Sequence, residues 1–260
     1  MNFHLSHIPE RTKQPRSHGL TVVMDKGLSL AETKNLLSVA SPHIDMVKLA
    51  FGTPLLTLSL KEKVKLYQDY GVTVFLGGVF FEAFVIRGQF DDYLAFIEDH
   101  GITCAEVSDG SITITQAEKC GYIEKLSQYG MVMSEVGSRD KDREQVTPPY
   151  RWIEIIKTEL EAGATYIVAE GRESGTYGIY RDSGEVREGL IEEILTKVPA
   201  EKIIWEAPRK DQQLFFIKTV GANVNLANIE PHEVIPLETM RIGLRGDTFH
   251  QYLEQADTKQ

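Results

Sequence analysis

Five carboxylates and one lysine recur at the same place in the pattern of this chain, where a short apolar run comes to its end. Asp25 follows Leu20–Met24, and Lys48 lies near the end of the run from Ile44 to Leu49. Glu106 and Glu135 sit late in the runs from Thr103 to Val107 and from Met131 to Val136. Glu170 follows Thr165–Ala169, and Glu206 follows Lys202–Trp205. If the runs are strands, alternation aligns Cys104 with Glu106, Met133 with Glu135, Val168 with Glu170, and Ile204 with Glu206. The same alternation puts Thr21 and Val23 on one face with Asp25. Each acid would then share a face with apolar neighbours and stand at the C-terminal rim. Carboxylates brought together repel, and a buried charge must find a partner or neutralise. Two kinds of counterion fit: a divalent metal, and the cations Lys48, Arg139 and Arg172. Oxygen-only ligands favour Mg²⁺, which takes one or two carboxylates and completes its shell with substrate and water. Mg²⁺ is therefore the expected cofactor, with Glu106, Glu135, Glu170 and Glu206 as candidate ligands. Any one of these acids is as readily a solvated loop residue or the partner of a structural arginine. The whole set at strand ends is harder to obtain by accident.

The elements that must position these groups alternate. Eight short apolar runs are predicted as strands: the six above, together with Val72–Leu76 and Ala222–Leu226. Short, continuously apolar strands are those buried on both faces. Amphipathic stretches fill the gaps and predict helices near residues 30–39, 58–70, 90–100, 116–129, 150–161, 188–197 and 209–220. A last helical stretch, 231–244, is expected to break at Pro236. The stretch from Val72 to Ile86 reads as a strand followed by a loop. Gly71, Gly101, Gly130, Gly163 and Gly221 each come shortly before a strand, where a helix stops in the left-handed conformation. Eight units in 260 residues average about 32 residues each, the length of a βαβ step. The expected fold is α/β, a single (β/α)8 TIM barrel, with residues 1–18 as an N-terminal extension, 19–248 as the barrel and 249–260 as a tail. A doubly wound sheet is the alternative, weakened by the lack of a Gly-x-Gly-x-x-Gly after the first strand.

Two loops are long, 137–149 and 171–187, and long loops in compact domains are usually functional. The second opens Glu170-Gly-Arg-Glu-Ser-Gly-Thr-Tyr-Gly178, which combines glycines with Arg172, a guanidinium able to fork onto phosphate or carboxylate. Asn225 and Asn228 lie where a barrel's last loops often bind phosphate. There is no His-x-x-x-His and no Gly-x-Ser-x-Gly elbow.

Composition narrows the function classes. The formal charge is −10, with no basic block, so a nucleic-acid partner is not expected. Two cysteines, Cys104 and Cys120, exclude a disulfide framework and a four-cysteine zinc site. The polar N-terminus is no secretory signal and no run is long enough to span a bilayer, so a cytoplasmic location is expected.

Longer strings carry more specific information. They are Lys13-Gln-Pro-Arg16, Asp45-Met-Val-Lys48, Phe51-Gly-Thr53, Gly77-Gly78, Glu135-Val-Gly137, Leu160-Glu-Ala-Gly-Ala164, Glu170-Gly-Arg-Glu-Ser-Gly175, Trp205-Glu-Ala-Pro208, Gln212-Gln213, the run from Asn223 to Ile229, and the run from Leu237 to Thr248. Together, in this order and over residues 11–248, they resemble the phosphosulfolactate synthase family. The resemblance implies a (β/α)8 barrel that adds sulfite to phosphoenolpyruvate with Mg²⁺, giving (2R)-phospho-3-sulfolactate. That product serves one route to coenzyme M, and in bacteria without coenzyme M another sulfonate pathway such as sulfolactate formation. Sulfite would attack C3, charge would develop on the substrate carboxylate, and a general acid would protonate C2. By resemblance, Lys48 binds the substrate carboxylate or sulfite, Arg16 and Arg172 hold sulfite or phosphate, and Asn225 with the loop beyond it meets phosphate. Asp25 and Asn228 complete the expected substrate-binding set. Arg139 stands where the family carries a lysine that is a candidate proton donor. An arginine hardly ever releases its proton, so Lys141 or another group would donate instead. The strip Leu49-Ala50-Phe51 also departs from the Phe-Gly-Trp common in the family. Two other readings are a Schiff-base aldolase with Lys48 as nucleophile and a non-catalytic barrel akin to plant heat-stress proteins that resemble the same family. Self-association is left open.

Overall fold

The computed structural model describes residues 5–137 and 147–253. Eight parallel strands close on themselves in chain order: β1 Thr21–Asp25, β2 Met46–Leu49, β3 Thr73–Leu76, β4 Cys104–Val107, β5 Met131–Val136, β6 Tyr166–Ala169, β7 Ile203–Glu206 and β8 Leu226–Ile229. Around them lie α1 Leu30–Ala40, α2 Leu60–Asp69, α3 Gly78–Val85, α4 Phe90–Asp99, α5 Gln116–Ser127, α6 Pro149–Glu161, α7 Glu188–Leu195, α8 Lys210–Val220 and α9 Val234–Arg241. This is a single (β/α)8 barrel. Ser29 with Glu32 and Thr115 with Glu118 form capping boxes that start α1 and α5. Among the described residues, no helix is long and apolar enough to cross a membrane.

Strand alternation divides the apolar residues into two cores. Val22, Met46, Phe75, Cys104, Met133, Val168, Ile204 and Ala227 fill the inside of the barrel. Val23, Val47, Val74, Ala105, Val132, Ile167 and Trp205 face the helices. Two residues beyond an inward-facing residue, a strand again points inward, now at its C-terminal end. Met46, Cys104, Met133, Val168 and Ile204 thereby aim Lys48, Glu106, Glu135, Glu170 and Glu206 at one rim.

Three elements differ from the sequence expectation. The eighth strand begins at Leu226 rather than Ala222. Residues 222–225 form a turn in which Val224 N bonds Gly221 O, and the Asn225 side chain accepts from Leu20 N and donates to the carbonyls of Glu201 and Ile203. Residues 78–85 form helix α3 rather than loop, beginning one residue after Gly77. Pro236 does not break the last helix. It sits in the first turn of α9, where a missing N–H costs nothing, and the break falls earlier, after the 3-10 turn Pro231–Glu233.

The N-terminal segment lies across the N-terminal end of the barrel. Arg11 bonds Glu238, Asn223 and the Gly19 carbonyl. Arg16 Nη1 donates to both Asp45 oxygens at 3.0 Å, while Nε and Nη2 donate to the carbonyls of Thr12 and Pro42. Asp45 in turn accepts from Thr21 N, so this pair pins the start of β1. Both side chains are more than nine-tenths buried. Breaking such a pair leaves an uncompensated charge, which costs about 3 kcal/mol or more. Arg16→Ala is expected to lower the thermal midpoint by ~6–12 °C while leaving the KM values unchanged; calorimetry and steady-state kinetics on the same preparation check both.

Candidate active site

A cavity of about 570 Å³ opens at the C-terminal ends of the strands, and Lys48, Glu135, Glu170, Arg172, Glu206 and Asn228 line it. Lys48 occupies its floor. The ammonium lies 2.9 Å from Glu106 Oε2, 3.3 Å from Glu206 Oε1 and 3.8 Å from Glu135 Oε2. Burial works against its charge, but the three carboxylates outweigh burial and hold its pKa far above the usual lysine value. Lys48 is a fixed cation.

The carboxylates around it divide by their partners. Glu106 Oε2 also accepts from Gly78 N at 2.5 Å, at the start of α3. Glu206 Oε2 accepts from Gly171 N at 2.9 Å and Arg172 N at 2.8 Å, which fixes the start of the loop after β6. Glu106 and Glu206 are thus bonded to Lys48 and to backbone amides. Among the described residues, no three acid, imidazole or thiol side chains are arranged to hold a metal ion. Glu135 and Glu170 also line the cavity, Glu135 within 3.8 Å of the Lys48 ammonium and Glu170 within 3.4 Å of Arg172 Nε. Burial raises the Glu135 carboxyl well above the ordinary range, with the nearby Glu170 charge adding to it. Two oxygen donors whose charges oppose each other suit Mg²⁺, which needs only one or two carboxylates.

The side of the cavity that carries Arg172 is built on strained backbone. Arg172 has φ +57°, its guanidinium lies 3.8 Å from the centre of the Tyr177 ring, and its Nε is 3.4 Å from Glu170 Oε1. Phe51 and Asn228, with φ of +56° and +60°, also line the cavity. Non-glycine residues in this region cost energy and cluster at functional sites. Gly137, with φ +154°, shows a different constraint: a Cβ there would lie 2.5 Å from Glu170 Cβ. The Glu135-Val-Gly137 string therefore leaves room for Glu170.

Three of the expected substrate-binding residues do not reach this cavity. Arg16 and Asn225 hold the opposite end of the barrel, through the bonds given above. The apolar run Ala222–Leu226 places Asn225 late in a strand, but the strand starts at Leu226, so Asn225 falls just before its N-terminal end. Asp25 faces the helical layer, in register with outward Val23. It pairs with Lys63 at 2.6 Å, accepts from Tyr67 at 2.9 Å, and caps the N–H groups of Gly27 and Leu28. Arg172 and Asn228 are the two members of that set in the cavity wall. Arg139 and Lys141 lie outside the described residues. Ser111, Ser174 and Tyr177 line the cavity and were not singled out beforehand. Of these, Ser174 and Tyr177 had a readable signal, the glycine-rich segment beginning at Glu170.

A closed parallel barrel with an ionised cavity at its strand C-termini defines a (β/α)8-barrel enzyme. Known structures agree on the fold: 3-hexulose-6-phosphate synthase from Salmonella typhimurium has a TM-score of 0.54 at 12% identity, covering 87% of this chain and all of that one. The YdjI aldolase from Escherichia coli K12 has a TM-score of 0.54 at 10% identity, over 93% and 91% of the two chains. The family is narrower. Residues 9–247 match the (2R)-phospho-3-sulfolactate synthase family, and the chain belongs to it. The phosphosulfolactate synthase of Bacillus subtilis is 39% identical over 96% of this chain and 99% of its own length. That of Methanocaldococcus jannaschii is 44% identical over 89% and 94%. With such relatives the chain is an enzyme, and the non-catalytic reading falls away.

The Glu135 pKa has a consequence for stability. A carboxyl whose folded pKa is raised favours folding below its unfolded pKa, and that contribution is lost as pH rises through the folded value. Glutamine mimics the protonated form. In metal-free buffer, Glu135→Gln is expected to raise the thermal midpoint at pH 8, with the gain shrinking towards pH 4. Thermal scans across that range check the sign.

Proposed function

We propose that this enzyme adds sulfite to phosphoenolpyruvate to form (2R)-phospho-3-sulfolactate, with Mg²⁺ held by Glu135 and Glu170. The observation that carries the reading is the fixed Lys48 ammonium on the floor of a cavity whose wall also presents Arg172. Both substrates are anions, and the reaction concentrates further negative charge on one of them. Lys48 faces the substrate carboxylate and stabilises the charge that develops there as the sulfur lone pair of sulfite attacks C3. Its position is set beforehand by Glu106 and Glu206, so little reorganisation is needed during the reaction. Arg172, stacked on Tyr177, holds a phosphate or sulfite oxygen pair, and Asn228 lines the same cavity. Glu206 orients Arg172 through its backbone N–H. Mg²⁺, when bound, supplies Lewis-acid stabilisation of the same developing charge. Lys141 is the proposed proton donor to C2, since the Arg139 guanidinium holds its proton too tightly. No covalent enzyme intermediate is required.

The Schiff-base reading needs a neutral amine as nucleophile. The carboxylate cage keeps Lys48 protonated, which disfavours it.

An anaerobic assay with phosphoenolpyruvate, sulfite and Mg²⁺, followed by ³¹P NMR with an EDTA control, tests the proposal. Metal-dependent phosphosulfolactate formation is expected, and Lys48→Met should lower kcat/KM by about a hundredfold or more. A wild-type enzyme that forms no product, or forms it equally well in EDTA, contradicts the reading.

A further inference from the structure

Behind the cavity, in the layer between the barrel and its helices, lies a second buried ammonium. Lys119 on α5 is 2% exposed. Its Nζ lies 3.0 Å from Asp109 Oδ1, 3.0 Å from Glu159 Oε1 on α6, and 2.6 Å from the backbone carbonyl oxygen of Glu135. Glu159 is itself fully buried and accepts from Ser134 at 2.6 Å and Gln116 at 2.9 Å.

Holding two helices to a sheet would need only the pair Lys119–Glu159. The third bond goes elsewhere. The register of β4 on β5 ends at Val107 and Ser134, so on the β4 side the Glu135 carbonyl lies one residue past the last pair, while on its other side Glu135 is in register with Val168 of β6. Lys119 supplies a charged donor there. Its bond to Asp109 reaches the loop after β4, one residue before Gly110 and Ser111, which line the cavity. One ammonium thus ties together two neighbouring parts of the cavity wall, and one of them carries the Glu135 carboxylate.

We propose that Lys119 is a positioning residue for Glu135: by fixing the Glu135 main chain beyond the end of the β4–β5 ladder, it sets where that carboxylate meets the divalent cation. This rests on the reading of Glu135 and Glu170 as the metal-holding pair. Lys119 touches neither substrate nor metal and acts through Glu135. Groups that orient metal ligands commonly matter nearly as much as the ligands.

The test is binding of Mn²⁺ alone to the full-length protein, read as loss of the free-ion EPR signal, in three proteins. The wild type is the reference. Glu159→Gln removes one partner of Lys119 but leaves Lys119, Asp109 and the bond to the Glu135 carbonyl. Lys119→Met combined with Glu159→Gln removes that bond and avoids leaving a buried glutamate uncompensated, so it is expected to fold. Both variants should lose thermal stability. Glu159→Gln should keep the wild-type Mn²⁺ affinity, whereas the double variant should bind about tenfold or more weakly. A folded double variant with wild-type affinity overturns the positioning role. So does an equal loss in both variants, which would mean general destabilisation. A wild type that binds no Mn²⁺ overturns the metal reading itself, and the inference with it.

Discussion

The ion cage around Lys48 is the constraint on which the site depends. An ammonium this deeply buried is unfavourable alone, and so is each carboxylate beside it. They are tolerable only together, with the remaining lone pairs satisfied. The protein meets that condition with backbone: Gly78 N serves Glu106, and Gly171 N and Arg172 N serve Glu206. The start of α3 and the start of the loop after β6 are therefore fixed by the same charges that fix Lys48. The cage joins β2, β4, β5 and β7 at the end where the substrate would enter.

This arrangement also separates the acids into two roles. Glu106 and Glu206 neutralise and orient a lysine. Glu135 and Glu170, beside Lys48 and Arg172 in the cavity wall, are the pair proposed to hold the metal. Around them the barrel uses buried ions repeatedly as fasteners. Lys63 with Asp25 ties α2 to β1, Lys119 with Glu159 ties α5 to α6, and Arg16 with Asp45 anchors the N-terminal segment. Several of the charged residues most prominent in the sequence are fasteners of this kind.

The barrel was legible because short apolar runs alternate with amphipathic stretches eight times, with a glycine shortly before the strand at five of them. Alternation alone placed Glu106, Glu135, Glu170 and Glu206 on one face with their apolar neighbours at the C-terminal rim. What alternation cannot supply is absolute phase in a short strand. Asp25 shares a face with Val23, as expected, but that face turns to the helices. The eighth strand shows the same weakness: Ala222 to Leu226 is apolar enough to be a strand, yet Asn225 finds its partners at the opposite end of the barrel. Partners were also unreadable. Nothing in spacing alone shows that Glu106 and Glu206 are taken by Lys48, because their amide donors come from loops distant in sequence. Arg16 looked like an anion ligand for the same reason: its carboxylate, Asp45, is visible only once the N-terminal segment is folded beneath the barrel.

The most direct test of this account is a crystal structure with phosphoenolpyruvate and Mn²⁺, with data collected to give the anomalous signal of manganese. The account predicts a single peak between the Glu135 and Glu170 carboxylates, with Lys48 still held by Glu106 and Glu206. A metal seated on Glu106 or Glu206, with the Lys48 ammonium displaced from its cage, would contradict it.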